Sequence, residues 1–228
     1  SSWSIGVKRL LFLGSSCIYP KFATQPIEEE SLLTSALEET NQWYAIAKIS
    51  GLKLCEAMRK QYKFDAISLM PTNLYGPGDN YHPENSHVLA SFIRKFYIAS
   101  KRSLPTVNCW GTGSPLREFL HVDDLAEAVL VTLQNWDPEG INAPLDKNGN
   151  PLYLLNVGSG HEISIKDLAN KIKNITNFQG EIVWDHSKPD GAPRKLLNSS
   201  KIKKLGWKPN IDLDIGIKKT LESFINRV

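Results

Sequence analysis

Tyr44 and Lys48 stand four residues apart in NQWYAIAK, so a helix would carry both on one face. A lysine ammonium beside a phenol stabilises the phenolate, which turns a tyrosine into a proton donor and acceptor. Ser15 adds a hydroxyl able to hydrogen-bond a carbonyl oxygen, and it follows the apolar run of KRLLFLGSSC directly. Tyr97 and Lys101 repeat the spacing without a serine-bearing strand ahead of them, so the pair by itself is a weak signal. The combination points to protonation of an oxygen at a developing alkoxide.

These groups need a strand and a helix to position them. Lys8 to Leu13 reads as a short buried strand closed by Gly14, with Ser15, Ser16 and Cys17 at its carboxyl end. In open α/β sheets that end is where ligands sit. Asn41 is placed to cap a helix over Asn41 to Lys63. This helix is apolar nearly all round through Trp43, Ile46, Ile49, Leu52 and Leu54, a pattern expected of burial. Asp65 to Met70 is the next parallel strand, with PTNLYGP leaving its end as a turn.

A helix is expected over about His87 to Ala99. Strands at Thr106 to Trp110 and Leu116 to Leu120 flank a Gly-Thr-Gly-Ser-Pro turn. Asp123 or Asp124 then caps a helix to about Asn135. After a loop over Trp136 to Asn150 come a strand at Tyr153 to Val157, a Ser164-capped helix and a strand at Gly180 to Trp184. Two short helices, Ser199 to Leu205 and Leu213 to Asn226, follow the loop KPDGAPRK. Glu28, Glu29, Glu30, Glu38 and Glu39 read as a solvated face.

Ser15, Tyr44 and Lys48, together with GSSCIYP, YAIAK, PTNLYGP, NSHV, LREFLHVDD and KPDGAPRK, resemble the extended short-chain dehydrogenase/reductases that act on nucleotide-sugars. The resemblance implies an α/β chain: the C-terminal part of a Rossmann-type doubly wound parallel sheet plus a smaller α/β substrate-binding domain. It implies residues 1–75 as the catalytic remainder of an NADP-binding domain. Residues 76–228 would be mainly a GDP-sugar domain, with one or two segments, at about 106–157, returning to the sheet.

The activity implied is epimerisation beside a ketone followed by NADPH-dependent reduction of that ketone. Ser15, Cys17, Tyr44, Lys48 and His87 are the implied catalytic residues, Cys17 and His87 exchanging the protons next to the carbonyl. Gly14, Ser15, Ser16, Tyr44, Lys48, Pro71, Thr72, Asn73, Leu74 and His87 would meet the NADPH/NADP cofactor. Lys95, Trp110, Arg117, Lys188, Asp190 and Arg194 would meet the GDP-sugar. A homodimer is the family's expectation. Read without the family, Cys17 is a small buried hydrophobe, Lys95 a solvated lysine and Arg117 equally a salt-bridge residue.

The totals bound the alternatives. A net charge of +3 without an arginine-rich patch gives no indication of nucleic-acid binding. Cys17, Cys55 and Cys109 are too few and scattered for a disulfide framework, which favours a reducing, cytoplasmic setting. No apolar stretch has the length of a membrane span, and KRLLFLGSSC has too short a core for a lipoprotein leader. His82 and His87 lack partners at metal-ligand spacing, so no metal is expected.

Gly76-Pro-Gly78, Gly111-Thr-Gly113 and Gly158-Ser-Gly160 are the G-x-G pairs, and none continues to a third glycine as a dinucleotide turn requires. The glycine-rich unit is therefore expected upstream of this chain, and residues 1–228 alone are expected to bind NADPH poorly. Two other readings compete. A nucleotide-sugar 4-epimerase or 4,6-dehydratase shares the fold, but a dehydratase would carry an acidic pair where Ser16 and Cys17 stand. A cofactor-free binding protein or inactive fragment fits the missing glycine-rich turn.

Overall fold

The computed structural model describes residues 2–227. Strands β1 (Arg9–Leu13), β2 (Asp65–Pro71) and β6 (Leu154–Val157) form a parallel three-stranded sheet in the order β1-β2-β6. Alternation along β2 explains how it is covered. Ile67 and Leu69 face one core with Leu125 and Ala128 of helix α3 (Val122–Asn135), joined by Trp136 and Trp207. Met70 faces the other way, with Ile49 and Leu52 of helix α1 (Gln42–Tyr62). A strand's side chains alternate between faces, so two helical layers sandwich one sheet.

The second core gathers helices α2 (Val88–Lys101), α4 (Ile165–Ile175) and α6 (Leu213–Ile225). α2 packs on strand β4 (Thr106–Trp110), which forms a parallel pair with β8 (Glu181–Asp185). Phe92, Phe96, Phe119, Phe178 and Phe224 fill it. Between the two cores runs β5 (Leu116–His121), which pairs with β3 (Asn73–Tyr75), β7 (Glu162–Ser164) and β9 (Arg194–Lys195). Helix α5 (Ser200–Lys203) follows β9. No helix is long and apolar enough to cross a membrane among the described residues.

Several local expectations change. PTNLYGP is not simply a turn, because β3 lies within it and pairs with β5. α1 is not buried all round: Trp43 is 75% exposed and Leu54 63%, so its outer face stays apolar in contact with water. Asn41 precedes α1 without a capping bond from its side chain. His121 rather than an aspartate caps α3, accepting from Asp123 N. Asp124 is buried and instead accepts the backbone N–H groups of Asn210 and Ile211 at 2.9 and 3.1 Å.

The expected acidic face is also partly interior. Glu29 is 2% exposed, and its carboxylate accepts from Asn156 N at 3.0 Å and from the Lys201 ammonium at 2.7 Å. Burial raises the Glu29 pKa, while the Asn156 N–H and Lys201 oppose that rise. Burial also works against Lys201, but Glu29, Glu28 and Glu30 hold its ammonium well above the ordinary value. The three carboxylates lie close enough to suggest a cation site. Lys201 already bonds all three, so the protein supplies its own cation there.

Candidate active site

The site begins where β1 stops. Gly14 continues the ladder by donating to Leu69 O at 2.9 Å, and a Cβ there would lie 2.4 Å from the Met70 sulfur. A side chain at this position would therefore push the end of the Met70 side chain aside. Ser15, in extended conformation, turns the chain into one 3-10 turn over Ser16–Ile18, its Oγ accepting from Cys17 N at 3.2 Å. Ser16 is buried, whereas Cys17 is half-buried.

Tyr44 and Lys48 arrive on the first turns of α1, as the spacing requires. The Lys48 ammonium donates to Leu13 O, the last carbonyl of β1, at 2.8 Å. It also lies 5.7 Å from the Tyr44 ring centroid and 5.4 Å from that of Phe12. Tyr44 is half exposed, and its hydroxyl bonds no described residue. Lys48 thus ties the helix that carries Tyr44 to the strand end that precedes Ser15. α1 comes in close because Gly51 has no side chain: a Cβ there would lie 2.5 Å from the Phe12 ring.

A cationic ladder borders Cys17. β9 runs parallel to β5 with Arg117 opposite Lys195, and the Lys195 ammonium reaches Cys17 Sγ at 3.6 Å. Arg117 donates to Leu116 O at 2.8 Å and to Asp190 O at 3.4 Å. Burial pulls the Arg117 pKa down, with Asp190, Cys17 and Glu38 opposing. Further out, Trp110 is 59% exposed, with the ammonium groups of Lys95 and Lys188 at 5.7 and 5.5 Å from its ring centroid. Lys95 also donates to Asn108 O at 3.1 Å. Trp110 and Lys95 line a cavity of about 180 Å³ with Phe92, Val88 and Ile165. A larger hollow of about 690 Å³ lies by Pro20, Glu28, Leu145 and Lys201, and none of the expected site residues line it.

The remaining expected residues separate by what they touch. Asp190 is committed to the Gly111–Gly113 turn, accepting from Thr112 N at 2.8 Å and Thr112 Oγ1 at 2.7 Å. Arg194 pairs with Glu162 at 2.8 Å. Thr72 and Asn73 donate to Glu118 O at 3.2 and 2.8 Å, and Pro71 sits in the β2–β6 ladder beside them. Leu74 belongs to β3. His87 is the exposed residue immediately before α2, with Asp79 as an electrostatic neighbour and no capping bond from its side chain.

Glu118 was not legible in the sequence as a residue of this region. It is fully buried and accepts from Gly160 N at 2.7 Å and Leu197 N at 3.1 Å, tying two loops to β5. Burial raises its pKa against those two donors. The only signal in the sequence was a glutamate inside the apolar strand pattern of LREFL.

The comparisons with known proteins fit this geometry. Residues 2–143 match the NAD dependent epimerase/dehydratase family. Probable GDP-L-fucose synthase 1 of Oryza sativa subsp. japonica is 56% identical over 222 residues, covering 97% of this chain and 64% of that protein. The chain thus spans somewhat less than two thirds of that relative's length. The GDP-6-OMe-4-keto-L-xylo-heptose reductase of C. jejuni superposes with a TM-score of 0.89 at 35% identity, over 100% of this chain and 73% of that one. A GDP-L-fucose synthetase from Naegleria fowleri bound to NADP gives 0.85 at 28% identity, over 99% and 68%. By this family match and these relatives, the chain belongs to the NAD dependent epimerase/dehydratase family.

Proposed function

We propose that this chain carries the catalytic part of a GDP-L-fucose synthase. Such an enzyme epimerises GDP-4-keto-6-deoxy-D-mannose at C3 and C5 and then reduces C4. The observation that carries the reading is Lys48 bonded to the end of β1 beside Tyr44 and Ser15. The 56% identity to the rice protein supports the choice of substrate.

The residues present fit a nicotinamide cofactor, because Lys48 spends one donor on Leu13 O and an ammonium carries three. Its other donors are suited to the ribose hydroxyls, and the segment Pro71 to Leu74 and Gly14 to Ser16 would border the ring. Bound NADPH supplies the hydride. Ser15 donates a hydrogen bond to the sugar carbonyl, and Tyr44 delivers the proton to the oxygen. The same ketone acidifies both neighbouring carbons, where Cys17 and His87 serve as the two proton-exchanging groups. Arg117, Lys95 and Lys188 offer positive charge to the diphosphate, and Trp110 a flat face to the nucleoside.

The solution form follows the same reading. We infer a cytoplasmic homodimer, in which a second copy covers the apolar face that α1 exposes at Trp43, Ile46 and Leu54. Sedimentation of the protein and of a Trp43→Glu variant checks this, and an unchanged dimer in the variant would move the interface elsewhere.

The deciding assay gives the full-length protein NADPH and GDP-4-keto-6-deoxymannose in deuterated water. Deuterium at C3 and C5 with cofactor oxidation supports the reading. Reduction without exchange would favour a simple 4-keto reductase. NADPH titrations of residues 1–228 and of the longer protein separate both from a cofactor-free binding protein.

A further inference from the structure

We propose that Lys195 is the positioning residue of the Cys17 thiol, its ammonium holding the sulfur's negative charge in place during α-proton transfer. This rests on the epimerase reading, and it gives Lys195 a protein partner where a basic loop would suggest a diphosphate. The Nζ of Lys195 lies 3.6 Å from Cys17 Sγ. Neither partner sits on a loose segment. Cys17 is in the 3-10 turn that Ser15 caps, and Lys195 is in β9, opposite Arg117 in the ladder with β5.

The residues after Lys195 are pinned as well. Leu196 N donates to Gln25 Oε1 at 2.9 Å, Leu196 O accepts from Ile27 N at 2.7 Å, and Leu197 N donates to Glu118 Oε2 at 3.1 Å. The lysine therefore leaves a fixed backbone and is itself half-buried. Arg117 is the second cation near the sulfur. The two carboxylates that act on Arg117 are themselves engaged: Asp190 on Thr112 and Glu38 on Lys21 at 3.0 Å. The other cysteines contrast with this setting. Cys55 and Cys109 are buried, and burial raises both thiols, Cys109 to about 11 with only Lys95 opposing.

In the step, the thiolate takes the α-proton of the 4-keto sugar. An S–H bond forms as the C–H bond breaks, and the released electron pair moves onto the carbonyl oxygen as an enolate. Return of a proton to carbon from the opposite face completes the inversion, with no net change in oxidation state. Lys195 takes no part in the proton transfer itself, which is why the role is one of positioning.

The test uses the full-length protein with Lys195→Met, Lys195→Arg and Cys17→Ser. First, alkylation of Cys17 by iodoacetamide at pH 7.5 is followed by peptide mass, with Cys17→Ser as the blank. Lys195→Met is expected to slow it at least about fivefold, and Lys195→Arg to stay within about twofold of wild type. Second, deuterium wash-in at C3 and C5 is expected to fall in kcat rather than rise in KM for Lys195→Met, with partial rescue by arginine. A methionine variant that alkylates at the wild-type rate, or whose sole defect is a raised KM, overturns the assignment. If wild type itself exchanges no deuterium, the epimerase reading has failed and the role of Lys195 falls with it. If wild type exchanges and the variant alkylates normally, only Lys195 is misassigned.

Discussion

Tyr44 separates the two halves of the proposed chemistry from Cys17. Tyr44→Phe keeps the ring above Lys48 and removes the proton. Ketone reduction is then expected to fall by about a hundredfold or more, while deuterium exchange beside the ketone persists. Cys17→Ser should do the converse, losing exchange and keeping NADPH binding, as read by NMR of the sugar and by cofactor fluorescence. The Tyr44–Lys48 pair was legible because helical geometry alone puts such residues on one face. That Lys48 would bond Leu13 O was not, since the partner lies 35 residues away on another element.

Elements decide whether those residues meet. Gly51→Ala would normally favour a helix by about 1 kcal/mol. Here the new methyl would meet the Phe12 ring, so α1 or the ring must shift. The expected result is destabilisation of about 1–3 kcal/mol and a lower kcat as Tyr44 moves relative to Ser15, measured by urea unfolding and assay. Lys201 is the other element-scale link, joining α5 to the segment carrying Glu28, Glu29 and Glu30. Lys201→Met leaves the Glu29 carboxylate buried without its ion partner and is expected to cost about 3 kcal/mol. The double variant with Glu29→Gln should recover part of that loss. A sequence cannot announce this contact, because EEE with no known partner is most simply solvent-facing.

At the scale of the molecule, His121 links folding to pH. It is 1% exposed, and burial lowers its pKa, with Asp123 and Asp124 opposing and Lys219 adding to the decrease. Protonation is then easier in the unfolded chain, so the unfolded state binds more protons near the ordinary histidine value. Stability from this group is present above about pH 6.5 and lost as pH falls below it. Urea unfolding at pH 8 and pH 5.5 should show the drop. His121→Asn, which keeps an acceptor to cap α3, should flatten it.

By itself the sequence determined the α/β order, the strand–serine unit, the Tyr44–Lys48 helix face and the motifs of the family. Each is local, set by periodicities of two and about 3.6 residues or by short runs of contiguous residues. The tertiary structure alone decided that β3 pairs with β5 and β4 with β8, that Glu118 and Glu29 lie inside, and that Lys195 meets Cys17. Those outcomes join residues far apart in the chain, where burial and pairing depend on which surfaces are brought together and not on the neighbours along the backbone.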